Sequence, residues 1–230
     1  MRALDDRAGG GPQLGDDVAG AGAAAPDGQK KSLIAQERDA HRRQQWRVGL
    51  TGLDPRQFVV LDETATPTNL SRLRARAPRG ERAVGRIPRR RWTSVPLVAT
   101  LRATGMGPAV VLDGATDRAA FDAFVGQLLV PTLRPGQIVV LDNLSVHKSA
   151  VARAHIEGAG CHLLFLPPYS PDFNPIELAF AKIKQTLRAV AARTYDALVT
   201  ATGPALDAIT PADAQGFFAH CGFAAPGQLL

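Results

Sequence analysis

The sequence is poor in cysteine, in aromatic residues and in long apolar runs. Its 230 residues include only two cysteines, Cys161 and Cys221, which stand far apart. Two isolated cysteines form neither a disulfide framework nor a zinc site, so the expected compartment is a reducing cytoplasm. No apolar run approaches the roughly 18 residues that cross a bilayer, and the N-terminus lacks the apolar stretch of a signal peptide. We therefore expect no membrane partner.

Acidic residues are outnumbered by basic ones. Lys and Arg total 27 against 21 Asp and Glu, and the net charge is +6 with a pI of about 9.9. This balance favours a polyanionic partner such as nucleic acid, and the alternative is a solvated basic surface without a partner. The hydrophobic fraction of 45% is enough for one sizeable core.

The chain divides by composition into four parts. Residues 1–28 are rich in Gly and Ala and hold almost no large apolar side chains, which predicts a disordered low-complexity segment. Residues 29–53 read as a polar, loosely packed lead-in helix followed by a linker. We expect one folded domain over 54–223 and a short tail at 224–230.

Short apolar runs alternate with helical patterns in the expected domain. The predicted strands lie at 57–62, 92–102, 108–114, 137–143 and 161–166. The predicted helices lie at 117–130, 145–160, 174–190, 194–209 and 211–219. Thr116 and Ser145 are the expected N-caps of the first two helices. A hairpin-like start followed by strand–helix–strand crossovers predicts an α/β fold, with a mixed sheet flanked by helices.

Two of the predicted strands end in the same way. The runs VVLDE and VVLDN place Asp62 and Asp142 where each strand leaves the core. Ligand sites gather at strand ends in open α/β sheets, whereas the alternative is that each Asp only forms an Asx turn. The repeated ending favours a ligand site. Asp113 in VVLDG also follows a strand, but the Gly and Thr after it indicate a turn and a helix cap.

A proline-rich segment, LPPYSPDFNPIE, leads to a third acidic residue, Glu177. Its prolines fix φ and stiffen the connection into the next helix. Asn174 fits the N-cap position, Pro175 the first helical position and Glu177 the third. The same spacing is close to a capping box, in which the Glu would only reach back to a backbone N–H. A metal-binding role and a capping role for Glu177 are both open at this point.

Three carboxylates at the ends of separate elements indicate divalent-metal phosphate chemistry. Mg²⁺ prefers carboxylate oxygen, and two ions about 4 Å apart activate a nucleophile and stabilise a leaving oxygen. Without metal the three carboxylates of Asp62, Asp142 and Glu177 would repel one another. We therefore expect two Mg²⁺ or Mn²⁺ ions.

Basic residues cluster in two places near these carboxylates. Residues 72–91 hold nine arginines and a single Glu, which predicts a loop or a twisted hairpin that binds phosphates. The helix after Glu177 carries a basic stripe. A solvated loop and a solvated helix face are the respective alternatives. Lys148, beside His147, adds a further basic residue. The residues expected to contact DNA are Arg72, Arg74, Arg76, Arg79, Arg89, Arg90, Arg91, Lys148, Lys184 and Arg188.

Three polar residues are expected to support the acidic ones. Asn143 is placed to hold Asp142 by a hydrogen bond, or simply to bond the turn. His147 is placed to orient a phosphate or the attacking water, or else to serve as a capping or surface histidine. Asn174 precedes the helix of the third carboxylate.

Thirty-four residues separate Asp142 from Glu177. With this gap, the segments LDET, LDNLSVHK and LPPYSPDFNPIELAFAKIK resemble the motifs of the DDE transposases of bacterial insertion sequences in the mariner superfamily. The resemblance covers residues 29–223. Phe180 stands where many relatives have Trp, a change that we expect an apolar helix face to accept.

The resemblance implies a ribonuclease H-like fold and an acidic triad of Asp62, Asp142 and Glu177. Asp62 would bridge two metal ions, and the other two residues would each hold one. The implied reaction is hydrolytic cleavage of DNA at the element's ends, after which the freed 3′-OH attacks target DNA. It also implies a possible homodimer and a location with the bacterial nucleoid.

One departure from the family concerns the N-terminus. Relatives usually carry a helix-turn-helix region that reads the inverted repeats, whereas this chain has residues 1–28 in that place. A truncated copy, or one half of a split reading frame, is therefore expected. The alternative function is a catalytically silent DNA-binding remnant or regulator.

Overall fold

The computed structural model describes residues 35–72, 75–85, 92–114 and 116–223. The predicted disordered segment and C-terminal tail lie outside these ranges, as do Arg74, Arg89, Arg90 and Arg91. Within the described ranges, no helix is both long enough and apolar enough to cross a bilayer.

The described residues form five strands and six α-helices. The strands are β1 (Phe58–Pro67), β2 (Ser94–Arg102), β3 (Gly105–Val111), β4 (Ile138–Leu141) and β5 (His162–Phe165). The helices are α1 (Ala40–Leu50), α2 (Arg118–Phe124), α3 (Ala150–Gly158), α4 (Pro175–Val190), α5 (Tyr195–Asp207) and α6 (Pro211–His220). A π-helical turn at Val125–Leu129 continues α2, and short 3₁₀ turns lie at Pro55–Gln57, Val130–Thr132 and Pro171–Phe173.

The strands form one sheet in the order β3-β2-β1-β4-β5. β1 pairs antiparallel with β2, and β2 pairs antiparallel with β3. β4 is parallel to β1, and β5 is parallel to β4. The chain reaches β4 from β3 through α2 and then reaches β5 through α3. These two helical connections allow the parallel pairings, since parallel strands need a long connection. The prediction of a mixed sheet flanked by helices is confirmed.

The sheet has a core on each face, and β1 contributes to both. Phe58 and Val60 belong to the cluster that packs against α1, α4, α5 and α6. Val59 and Leu61 belong to the cluster that packs against α2 and α3. This division follows from the alternation of side chains along a strand. It explains why β1 is apolar without interruption from Phe58 to Leu61, although a strand with one solvated face would alternate.

β1 is longer than the sequence predicts. The strand continues five residues beyond Asp62, to Pro67, so Asp62 lies within a strand and not at its end. The reason is that β2 pairs with β1 over its whole length, from Val59 opposite Arg102 to Pro67 opposite Ser94. Pairing therefore extends the strand beyond its apolar run. β4 ends at Leu141, two residues before the predicted border at 143, so that Asp142 directly follows the strand.

The N-caps predicted for α2 and α3 are wrong, by one and by four residues respectively. The side chain of Asp117, and not that of Thr116, accepts the N–H of Ala120 at 2.8 Å to cap α2. Ser149, and not Ser145, caps α3 by accepting the N–H of Ala152. In each case a second good capping residue stands close by in the sequence, and local backbone geometry selects between them.

α1 packs more firmly than the loose lead-in helix predicted from its polar sequence. Trp46 and Leu50 are buried, and the Trp46 ring meets the edge of Phe223 with 6.3 Å between ring centroids. Arg43 on the same helix is also buried. The described part of this helix begins at Ala40, so it runs later in the chain than the predicted helix at 29–47.

Candidate active site

The structure brings Asp62, Asp142 and Glu177 to one cleft of about 440 Å³. β1 and β4 are adjacent parallel strands, and the register that pairs Val60 with Val140 places the two aspartates side by side. α4 begins above them and contributes Glu177 as its third residue. The rest of the cleft is lined by Asn143, Leu144, Lys148, Leu166, Pro167, Pro168, Tyr169, Ser170, Pro171 and Asn174.

Asp62 is the most buried of the three carboxylates, with 6% of the residue exposed. Its Oδ2 accepts a hydrogen bond from Asn174 Nδ2 at 2.6 Å, and its Oδ1 accepts the backbone N–H of Glu63 at 2.6 Å. Burial raises the pKa of Asp62, and although the Glu63 amide opposes this shift, the charges of Asp142 and Glu177 add to it, which brings the pKa to about 7.

Asp142 forms the Asx turn that the sequence left as an alternative, and it also faces the cleft. Its Oδ1 accepts the backbone N–H of Leu144 at 3.0 Å and is hydrogen-bonded to His147 Nδ1. The two interpretations of Asp142 are therefore compatible, because the turn uses one carboxylate oxygen only.

His147 is buried, which rules out a surface role, and it caps none of the helices that the structure describes. Its Nε2 lies 3.5 Å from Glu63 Oε1, and its ring packs on Phe121 with 4.8 Å between centroids. Burial lowers the pKa of His147, but the hydrogen bond to Asp142 and the charge of Glu63 outweigh it and raise the pKa to about 9. His147 therefore joins two carboxylates as a cation.

Glu63 is the residue of this arrangement that sequence reasoning missed. It follows Asp62 on β1, so its side chain points to the opposite side of the strand, and it does not line the cleft. Neither Glu63 Oε1 nor His147 Nε2 has a hydrogen-bond partner among the described residues. The sequence signal for Glu63 is an acidic residue directly after the apolar run of a strand. A charge in such a place requires a partner.

Glu177 does not form the capping box that the sequence allowed. Asn174 occupies the N-cap position of α4 but makes no side-chain capping bond, because its amide is turned to Asp62. α6 shows the contrast, since Thr210 and Asp213 form a complete capping box there. The Glu177 carboxylate is exposed and has no hydrogen bond to another described residue. It is left available to the cleft.

The proline-rich loop holds an unfavourable backbone conformation at the edge of the cleft. Tyr169 has a φ of 53° and is 58% exposed. A left-handed conformation is uncommon for a bulky residue and persists only where the surroundings fix it. The buried Ser170 helps to fix it by donating a hydrogen bond from Oγ to the carbonyl of Pro168 at 3.1 Å.

The donor set fits a hard divalent cation in its chemistry. Carboxylate oxygens are the ligands that Mg²⁺ prefers. A cation beside Asp62 would offset both the burial and the carboxylate repulsion that raise the pKa of Asp62. In the described part of the chain, however, no group of three or more His, Cys, Asp or Glu side chains is arranged around a single metal position. The three carboxylates line a common space without enclosing one point in it.

The predicted DNA-contacting residues lie in three places. Lys148 is exposed in the cleft. Lys184 and Arg188 are half-buried on α4. Arg72, Arg76 and Arg79 are exposed in irregular chain between β1 and β2, and Asn143 lines the cleft beside Asp142. Contact of these residues with DNA stays a prediction.

The sheet order β3-β2-β1-β4-β5, with two antiparallel and two parallel pairings, defines an α/β domain. Its three carboxylates line a cleft where β1 and β4 lie side by side. Residues 57–199 match the family described as DDE superfamily endonuclease, and this match covers more than half of the chain. The chain therefore belongs to the DDE superfamily endonucleases. A comparison with curated proteins finds no match.

Solved structures of Mos1 transposase share the fold. The Mos1 paired-end complex with left transposon end has a TM-score of 0.68 at 17% identity, over 86% of this chain and 64% of that chain. The Mos1 catalytic domain with Raltegravir and Mn has a TM-score of 0.63 at 13% identity, over 84% and 92%. This chain thus spans less than two thirds of the longer Mos1 chain and most of the catalytic domain. The ribonuclease H-like fold is confirmed.

Proposed function

We propose that this chain is the catalytic domain of a bacterial insertion-sequence transposase, which cleaves DNA at the element's ends and transfers the strand to target DNA. One observation carries the proposal: Asp62, Asp142 and Glu177 converge on one cleft in a basic member of the DDE endonucleases. The three residues act as the acidic triad.

Two Mg²⁺ or Mn²⁺ ions are the proposed cofactors, and Asp62, Asp142 and Glu177 hold them. When bound, such ions activate the attacking oxygen and stabilise the leaving oxygen of a phosphodiester. Mos1 complexes have been solved with Mg and with Mn, which supports the choice. The chain's own residues contribute by orienting the carboxylates.

Three residues supply this orientation. Asn174 fixes Asp62 by its 2.6 Å hydrogen bond, and His147 fixes Asp142 from behind the cleft. Asn143 lines the cleft next to Asp142 and supports it in the proposed site. Asp62 and Asp142 are thereby held in place before DNA binds, which reduces the reorganisation that the reaction requires.

DNA is the proposed partner, both as element end and as target. Lys148 stands in the cleft, and Lys184 and Arg188 extend from it along α4, where they are placed to follow a phosphate backbone. The arginines at 72–91 add positive charge between β1 and β2. Mos1 structures with a transposon end and of a strand transfer complex support this partner. A homodimer at the bacterial nucleoid completes the proposal.

A catalytically silent DNA-binding remnant is the second candidate. It is favoured by the finding that, among the described residues, no set of three ligands is arranged around one metal position. It shares the fold and the basic surface with the active enzyme, so only a test of chemistry separates the two.

Metal-dependent nicking of plasmid DNA tests the proposal, with Asp142→Ala as the inactive control. We expect nicking by the wild type in Mg²⁺ or Mn²⁺ and none in EDTA. Asp62→Asn, Asp142→Asn and Glu177→Gln should each abolish nicking and leave the Kd for DNA within about threefold, a difference below 1 kcal/mol. Absence of metal-dependent nicking by the wild type would establish the silent remnant.

Strand transfer requires a separate assay with a pre-cut element end. Joined products from a free 3′-OH are expected if the chain is a transposase. Cleavage without any joined product would identify a nuclease of the same fold.

A further inference from the structure

Arg43 on α1 is a buried cation that the proposed chemistry does not use. It is 7% exposed, and it binds Asp172 through both ends of its guanidinium group. Nη1 donates to Oδ1 at 2.9 Å and Nη2 donates to Oδ2 at 2.5 Å. The guanidinium carbon also lies 3.9 Å from the centroid of the Phe173 ring. We call these three residues the Arg43 clamp.

A second arginine of the same segment strengthens the clamp. Arg38 Nη2 donates to both carboxylate oxygens of Asp172, at 3.3 and 3.2 Å. Arg43 uses two nitrogens for the two oxygens of Asp172. Such a pair of N–H bonds fixes the orientation of the carboxylate as well as its distance, which a lysine ammonium does not. The stacking on Phe173 adds a second constraint on the Arg43 plane.

The clamp acts on the turn that carries the active-site loop into α4. Asp172 and Phe173 form the 3₁₀ turn Pro171–Phe173, and Asn174 follows directly. Asn174 is the hydrogen-bond donor to Asp62, and Glu177 lies three residues further on. A displacement of this turn would therefore move Asn174, which supports Asp62, and would move Glu177 at the same time.

We propose that Arg43 is a positioning residue of the active site: by holding Asp172 and Phe173 it sets Asn174 against Asp62 and places Glu177 in the cleft. This inference rests on the proposed function. α1 has other attachments, since Trp46 and Leu50 are buried in the core. Arg43 is thus not required merely to keep α1 on the domain, and its bonds are directed at the turn.

Arg43→Lys tests the proposal, because it keeps the charge and removes the two-ended bond. Arg42→Lys is the matched control: Arg42 is the preceding residue, it is exposed, and its partner is Asp39 at the start of its own helix. The first measurement is the ¹⁵N–¹H signal of the Asn174 side-chain amide, assigned with Asn174→Ser. We expect Arg43→Lys to shift or broaden this signal and Arg42→Lys to leave it unchanged.

The second measurement is the cleavage rate at saturating DNA together with the Kd for DNA. Arg43→Lys should lower kcat by about ten- to a hundredfold, the range in which misplacement of a catalytic group acts. The Kd should change less than about twofold relative to Arg42→Lys, because neither residue is expected to contact phosphate. Circular dichroism shows whether each variant is folded, and Asp172→Asn replaces Arg43→Lys if the latter is not.

The outcomes separate this inference from the proposed function. An unchanged Asn174 signal in folded Arg43→Lys overturns the inference, whether or not the wild type cleaves DNA. A changed signal with a wild-type kcat overturns it as well. A wild type without cleavage refutes the proposed function, and the Asn174 signal then decides alone whether Arg43 positions the turn.

Discussion

Asp62 is buried where a negative charge is poorly solvated and faces two further carboxylates. Its pKa of about 7 lies above the ordinary value of 3.8, so the folded state binds a proton that the unfolded state has lost. Stability therefore falls as the pH rises from about 4 to about 7. His147, with a pKa of about 9, contributes stability that is complete below about pH 6.5 and is lost as the pH rises through 9.

Asp62→Asn should stabilise the metal-free protein at pH 8 and have little effect at pH 4.5. The amide carries no charge, and the Asn174 side chain is able to rotate so that its Oδ1, which has no partner among the described residues, accepts a hydrogen bond from the new amide. The expected gain is about 1 to 4 kcal/mol, or several degrees in Tm. Thermal unfolding in EDTA at both pH values measures it.

Asp113→Asn is the control for this substitution, because Asp113 is exposed after β3 and does not line the cleft. Equal Tm changes for the two variants, or a lower Tm of Asp62→Asn at pH 8, would show that Asp62 is not under electrostatic strain.

His147→Ala should destabilise the fold by about 3 kcal/mol, because it removes the cation between two carboxylates and leaves a buried cavity. Urea unfolding at pH 7 measures this loss. His162→Ala on β5 is the matched control, since His162 is exposed, and it should change the free energy of unfolding by less than about 0.5 kcal/mol. If His147→Ala lowered the free energy of unfolding as little as His162→Ala does, Asp142 and Glu63 would not need a cationic partner.

At the scale of elements, the N-terminus of α4 departs from the usual design of a helix start. Asn174 is a preferred N-cap residue, yet its amide is used for Asp62 and the first turn is left without a side-chain cap. Pro175 reduces the cost, because it has no N–H to satisfy at the first position. α4 therefore lacks a side-chain cap because Asn174 is bonded to Asp62.

Asn174→Asp should reveal this use of the side chain. At an ordinary N-cap the exchange of Asn for Asp is close to neutral, but here it sets a carboxylate against Asp62. We expect a loss of about 2 to 4 kcal/mol at pH 8 that largely disappears at pH 4.5, measured by urea unfolding. Thr194→Asp, at a true cap of α5, is the control and should change little at either pH. Equal behaviour of both variants would make Asn174 an ordinary cap.

The sequence predicted elements better than their borders, and the border errors have physical causes. β1 was predicted to end at Asp62 because its apolar run ends there, whereas pairing with β2 carries it to Pro67. The role of Glu63 depends on its contact with His147, which is distant in the chain. The fold creates this contact, so no local sequence pattern predicts it. The convergence of the carboxylates was predictable, since it follows from two strands with the same ending and the spacing of a known motif.

At the scale of the whole molecule, positive charge extends well beyond the cleft. The exposed arginines between β1 and β2 are not part of any described strand or helix, so they contribute little to the core. Their expected contribution is to the ionic part of DNA affinity, which is sensitive to salt and insensitive to DNA sequence.

A triple variant, Arg72→Ala with Arg76→Ala and Arg79→Ala, should reduce the salt dependence of DNA binding. If each arginine neutralises one phosphate, the slope of log K against log salt falls in magnitude by about 2.7. Fluorescence anisotropy over a salt series measures the slope, and thermal unfolding should be unchanged. The control is Arg153→Ala, whose side chain pairs with Glu157 on its own helix. An unchanged slope in the triple variant would make the segment a solvated loop.

The Arg43 clamp also bears on where this protein can be divided. The match to the DDE endonucleases begins at residue 57, after the end of α1. A fragment cut at that border would contain Asp62, Asp142 and Glu177 and would lack Arg43, the partner of Asp172 from 129 positions away. Such a fragment would keep all three acidic residues, but the turn Pro171–Phe173, which leads to Asn174 and Glu177, would have lost its clamp. If Arg43 positions the turn, we expect a fragment that begins at residue 57 to cleave DNA more slowly than one that includes α1.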